Sequence, residues 1–158
     1  MSTNKPDDSD VSMFLGMDYP ELRDAVKRIC GRFPGSYWRG LEKDSSYPTA
    51  FIEALTQAGF LASLIPEEYG GSGLPIRAAA VILEEINASG CVASPGHAQM
   101  YIMGTLLRHG NPTQRDFYLP KIASGELRLQ AFGVTEPSSG SDTTSLKTTA
   151  VKKGDFYE

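Results

Sequence analysis

The chain has 158 residues, 41% hydrophobic and 22% charged, with a net charge of −4 from 15 Lys and Arg against 19 Asp and Glu. That length holds one ordinary domain, or one and part of another, and the composition is that of a soluble globular protein. An acidic balance excludes a typical nucleic-acid binder, and no apolar run approaches the roughly 20 residues of a membrane helix, but a small anionic ligand held by backbone N–H groups is still allowed.

Residues 1–16 are polar, with Lys5 followed by Asp7, Asp8 and Asp10. They lack the apolar core of a signal peptide and the Arg-rich character of a transit leader, so they read as a disordered cytoplasmic tail. Cys30 and Cys91 are too few for a disulfide framework, and with His97 and His109 they lack the paired spacing of a zinc site, so no metal is expected.

Five helices are expected before any strand. In the first, about Tyr19 to Arg32, Asp18 and Glu21 form a capping box and Leu22, Ala25, Val26 and Ile29 recur at helical spacing. Phe33-Pro-Gly-Ser36 breaks it, and Trp38 to Ser46 reads as loop. Pro48 opens the second helix, with Phe51, Leu55 and Ala58 on one face, and Gly59 ends it. The glycine-rich run Gly70-Gly71-Ser72-Gly73 lacks the Lys-Ser/Thr of a phosphate loop and reads as a turn.

The third helix, about Leu74 to Ala88, buries Ala79, Ile82, Leu83 and Ile86, and its Glu84 and Glu85 read as a solvated face. The fourth, about Pro95 to Arg108, is apolar nearly all round, which suits burial between neighbours or a wall of an apolar pocket. His109 falls in its last turn, and Gly110 stops it. Asn111 and Gln114 cap the fifth helix, which should carry Phe117, Tyr118 and Ile122 inward and kink at Pro120. Beyond Gly125, Leu127 to Thr135 reads as a strand, and Thr148 to Lys152 and Asp155 to Tyr157 as a hairpin about Lys153-Gly154.

Between these strands lies Phe132-Gly-Val-Thr-Glu-Pro-Ser-Ser-Gly-Ser-Asp142. Its small residues can point successive N–H groups into one concavity that suits a phosphate or a flavin edge. From this window alone, an ordinary loop capped by Asp142 explains the residues equally well.

The order of landmarks resembles the acyl-CoA dehydrogenase family. It comprises Ile65-Pro-Glu-Glu-Tyr-Gly-Gly71, Tyr118-Leu-Pro-Lys-Ile-Ala-Ser-Gly-Glu126, the stretch Ala131 to Asp142, and Thr148-Thr-Ala-Val-Lys-Lys-Gly-Asp155. The resemblance implies a mainly α architecture: a helical N-terminal domain over residues 17–126, then the first strands of a β-barrel domain from 127–158. It implies an FAD-dependent oxidoreductase that converts an acyl-CoA thioester to the trans-2-enoyl-CoA. A glutamate takes the α-proton, the β-hydrogen leaves as hydride to the flavin, and an electron-transfer flavoprotein accepts the electrons.

Carried over by position, the resemblance makes Phe132, Val134 and Thr135 a flavin-lining segment, and assigns Gly140 and Ser141 to the FAD pyrophosphate and the pantetheine side of the substrate. His97 and Tyr101 match acyl-pocket positions less closely, and packing roles explain them equally well. As pocket residues they suit a short, branched or aromatic acyl group. Glu136 is expected to be a structural carboxylate. Family members run to well over twice this length, adding the rest of the barrel and a helical bundle that supplies the base and most of a tetramer or dimer interface. The chain is therefore expected to be an N-terminal piece that alone neither retains FAD nor dehydrogenates acyl-CoA. An acyl-CoA oxidase or flavin monooxygenase on the same fold, or a non-catalytic helical module that binds a partner, are the other readings.

Overall fold

A computed structural model describes residues 18–158; the expected tail, residues 1–16, lies outside the described residues. Six α-helices come first: α1 (Pro20–Cys30), α2 (Gly35–Asp44), α3 (Thr49–Gln57), α4 (Ile76–Ala88), α5 (Ser94–His109) and α6 (Pro112–Ser124). Two short strands follow, β1 (Lys152–Lys153) and β2 (Phe156–Tyr157), paired antiparallel. Among the described residues, no helix is long and apolar enough to cross a membrane.

The periodic faces meet in one core. Val26 of α1, Phe51, Ile52 and Leu55 of α3, Ile82 and Ile86 of α4, Met103 of α5 and Ile122 of α6 are all at most 1% exposed. Each such burial contributes roughly 1.5–3 kcal/mol. Helix α1 packs along α4, and α5 lies between α4 and α6. At Gly96 an added Cβ would come within 3.2 Å of the Leu61 side chain, so a small residue lets α5 approach. The glycine-rich turn has a packing reason as well: a Cβ on Gly71 would sit 2.0 Å from the Ile65 carbonyl oxygen.

Helix α2 replaces the loop expected over Trp38 to Ser46. Two glycines weaken its local preference, and aromatic packing overrides it. Phe33, Tyr37, Trp38 and Phe51 form a chain of edge-to-face contacts with centroids 5.0–5.1 Å apart. The Trp38 indole N–H donates to the Phe33 carbonyl at 3.1 Å.

The expected capping box at α1 is absent. Tyr19, in the left-handed region at φ 52°, takes the N-cap position without a side-chain bond. Asp18 instead accepts from Arg23 Nη2 and from Arg77 Nε, both at 2.8 Å. Arg23, 4% exposed, also donates to Glu84 at 2.9 Å and Glu85 at 3.4 Å. Glu84 is exposed as expected, whereas Glu85 is buried, because it faces the guanidinium that α1 presents to α4. These guanidiniums, Arg23 first, hold the Asp18 carboxyl below its usual range.

At α6 the box is complete: the Gln114 N–H donates to Asn111 Oδ1 and the Asn111 N–H to Gln114 Oε1, each at 2.9 Å. The helix continues through Pro120. Phe117 corrects the expected inward face: it is 54% exposed, with the Lys121 ammonium 4.0 Å from its ring centroid, and Leu119 is buried beside Ile122. Residues 127–135 form no ladder, because a strand exists only through a partner. In the hairpin, Lys152 pairs with Tyr157 and Lys153 with Phe156, so the turn is Gly154-Asp155, one residue beyond expectation. Gly154 supplies its φ of 63°.

Candidate functional site

Helix α5 positions the first part of the site. His97 and Tyr101, one turn apart, meet edge-to-face at 5.2 Å, and Tyr101 meets Phe132 in the same way at 4.8 Å. The structure thus joins an expected flavin residue to the two expected acyl-pocket residues. Phe132 is 60% exposed, so most of its ring is open to a ligand.

His97 and Tyr101 line an open cavity of about 390 Å³ with Tyr47, Ser94, Pro95 and Gln130. No Asp, Glu, Lys or Arg lines it, which suits an uncharged group. A larger hollow of about 580 Å³ beside α1 and α3 presents Arg28 and Arg32 and contains none of the expected site residues. Tyr47 and Gln130 carried no signal in the sequence, because they are 83 residues apart and meet only in the fold.

The loop after Phe132 is built by its own polar groups. The N–H of Glu136 donates to the Ser139 carbonyl at 2.9 Å and that of Ser139 to the Glu136 carbonyl at 3.1 Å, closing a tight turn. The Ser139 hydroxyl donates to the Asp142 carbonyl oxygen. Asp142 caps the next turn, accepting the Thr144 N–H at 3.1 Å, and the Ser145 and Thr144 hydroxyls lower its pKa.

Glu136 accepts the N–H groups of Lys147 and Thr148, each at 2.8 Å, and the Thr148 side chain first, then these two backbone bonds, lower its pKa. A carboxylate so held ties two strands of the loop together and is a poor proton acceptor. Val134 is half-buried, while Thr135, Gly140 and Ser141 are exposed. Among the described residues, the backbone N–H groups of Val134, Thr135, Gly140 and Ser141 have no acceptor. A Cβ at Gly140 would meet nothing within 4 Å, so the backbone there is open to close approach.

A model of the acyl-CoA dehydrogenase N-terminal domain matches residues 18–126. The chain belongs to the acyl-CoA dehydrogenase family. It is 41% identical over 147 residues to the mitochondrial isovaleryl-CoA dehydrogenase of Bos taurus, covering 90% of this chain and 34% of that one. It is 36% identical over 118 residues to the cyclohex-1-ene-1-carbonyl-CoA dehydrogenase of Syntrophus aciditrophicus, covering 74% and 28% respectively. The crystal structure of an acyl-CoA dehydrogenase from Geobacillus kaustophilus matches with a TM-score of 0.75 at 30% identity, over 87% of this chain and 36% of that one. The chain therefore spans about a third of the length of these relatives. Its helical body and short terminal hairpin are the mainly α architecture that the motifs imply for the N-terminal part of the family.

Proposed function

We propose that the chain supplies the α5 wall of an acyl-CoA pocket and part of an FAD surface in an α,β-dehydrogenase that forms trans-2-enoyl-CoA. The observation that carries this is the aromatic chain His97, Tyr101, Phe132, which runs from a cavity without Asp, Glu, Lys or Arg to a loop with unused backbone donors. An apolar acyl group gains from leaving water in such a cavity, and unused N–H groups suit the oxygen-rich edge and phosphates of a flavin nucleotide.

In this reading His97 and Tyr101 bound the acyl group, and Phe132, Val134 and Thr135 lie along the flavin. Gly140 and Ser141 serve its pyrophosphate, Ser141 also serving the pantetheine. Bound FAD supplies a hydride acceptor for the substrate β-hydrogen. This chain's own residues orient the thioester and keep water from it. Glu85 is bound to Arg23 and Glu136 to two backbone N–H groups, so neither is assigned as the base.

Two aromatic rings beside the cavity favour a short, branched or aromatic acyl group. The isovaleryl group in the name of the bovine relative is short and branched. An electron-transfer flavoprotein is the proposed acceptor, and a homodimer or homotetramer the proposed assembly. The free, buried thiols of Cys30 and Cys91 suit a reducing compartment such as the cytoplasm.

The test is a chimera in which this chain replaces the matching 147 residues of the bovine isovaleryl-CoA dehydrogenase. It should hold FAD and reduce a dye with short or branched acyl-CoA, whereas the 158-residue chain alone should be colourless and inactive. A folded, yellow chimera that turns over no acyl-CoA, or only long-chain ones, would contradict the proposal.

A further inference from the structure

Two free thiols that the acyl-CoA reading leaves unused meet at the end of α1. Cys30 is the last residue of that helix, and Cys91 follows the turn Ser89-Gly90 that leads from α4 towards α5. They lie 61 residues apart in sequence, yet the Cys91 thiol donates to the Cys30 carbonyl oxygen at 3.9 Å. The two side chains are hydrogen-bonded to each other as well. With the Cys91 proton directed at that carbonyl, this second bond runs from the Cys30 S–H to the Cys91 sulfur.

Both thiols are buried, Cys30 at 3% exposure and Cys91 at 6%, and burial keeps a thiol inert only while its cover stays in place. Cys30 is held in a helix against the apolar core. Cys91 has an exposed residue on each side, Gly90 and Val92, the latter 45% exposed. Gly90 takes a φ of 77°, and a Cβ there would meet nothing within 4 Å, so the turn is not wedged into the core. A local opening of this turn uncovers Cys91 and leaves Cys30 in place.

We propose that Cys30 and Cys91 are a redox modification site, at which a peroxide converts the pair to an intramolecular disulfide that ties the end of α1 to the turn ahead of α5. The Cys91 sulfur attacks one peroxide oxygen, and the O–O bond breaks. A sulfenic acid forms, and the departing hydroxide leaves as water with the Cys91 proton. Cys30 then attacks the sulfenic sulfur: the S–S bond forms, the S–O bond breaks, and a second water carries off the Cys30 proton. The two sulfurs give up two electrons and the peroxide takes them. Burial, reinforced by Cys91, keeps Cys30 protonated, which suits it to the second step. The proposal stands apart from the acyl-CoA reading.

The experiment treats the full 158-residue chain, reduced and folded, with hydrogen peroxide. The product should be a monomer lighter by two hydrogens, with no thiol left to alkylate after denaturation and a linked Cys30–Cys91 peptide. Its thermal midpoint should rise by roughly 10 °C, and dithiothreitol should reverse every change. Amide exchange at His97, whose N–H donates to the Ala93 carbonyl at 2.9 Å in the first turn of α5, should slow. Cys30→Ala should stop at a Cys91 sulfenic acid that dimedone captures, and Cys91→Ala should keep its remaining thiol.

Two intact thiols after peroxide, disulfide-linked dimers, or sulfinic acids without a bridge would overturn the site, and the unsubstituted chain alone decides this. A bridge that leaves the midpoint and His97 exchange unchanged would overturn the tie between α1 and α5. Oxidation of Cys30 in Cys91→Ala as fast as that of Cys91 in Cys30→Ala would overturn the order of attack.

Discussion

The helical body and the segment after it obey different rules. Every buried hydrophobic residue of the described chain lies between Val26 and Ile122, while from 127 to 158 only Ser139 is buried and Phe132, Leu146, Val151, Phe156 and Tyr157 are exposed. Up to α6 the fold is held by a shared apolar core. Leu127 and Leu129 still pack against that core and Arg128 donates to the Thr56 hydroxyl at 2.9 Å, but from Glu136 onward order comes from local polar bonds: Glu136 to two N–H groups, Asp142 to its turn, and a two-residue ladder. A self-contained core stabilises itself, whereas a polar loop keeps its aromatic surface available for a ligand or neighbour.

Paired aromatic truncations should break this contrast most visibly. Phe51→Ala, in the core, should cost about 3–5 kcal/mol by denaturant unfolding, and Phe156→Ala, on the exposed hairpin, under about 0.5 kcal/mol. Equal costs would mean that the hairpin shares the core. Next in size is Arg23→Leu, which leaves the buried Glu85 carboxylate with only Lys27 at 3.8 Å and should cost about 3 kcal/mol. A neutral result would mean that the cluster between α1 and α4 adds nothing to the body.

The alkaline limit should also belong to the body. Burial, reinforced by Cys91, pushes the Cys30 thiol from 9.0 up to about 12. A pKa raised by folding gives stability that is complete below 9.0 and declines as the pH climbs through about 12, so Cys30→Ala should flatten the alkaline limb of the unfolding curve. Asp18 works in the opposite sense. Its folded pKa is depressed below 3.8, so its stabilisation is present above that value and lost as the pH falls through the folded one. Arg77→Ala should shrink that acid loss.

The smallest effect is expected in the loop. Glu136→Gln should leave the thermal midpoint of the helical body unchanged while hydrogen exchange at the Lys147 and Thr148 amides accelerates. Unchanged exchange would mean that the carboxylate does not order the loop.

The helices with apolar residues at three- and four-residue spacing were legible to within one or two residues, since local pattern and burial agree there. Helix α2 was not, because its stability comes from Trp38 and Tyr37 reaching Phe33 and Phe51, contacts that no local window contains. Burial of Glu85 was hidden for the same reason: its partner Arg23 lies 62 residues away. In the site, motif resemblance pointed to Phe132, His97 and Tyr101, and the fold brings them together. Tyr47 and Gln130 became visible only once α5 and the turn before α3 stood side by side. The expected strand from Leu127 has an alternating pattern without a pairing partner among the described residues, and pattern alone makes no ladder.

The central claim is that α5 and the Phe132 loop form one ligand site at the junction of the two regions. The direct measurement is a backbone amide shift map of the chain titrated with an isovaleryl thioester of pantetheine. The account predicts shifts gathered at His97, Tyr101, Gln130 and Phe132, with α1 and the hairpin silent. Shifts gathered instead around Arg28 and Arg32, or absent from α5, would contradict it.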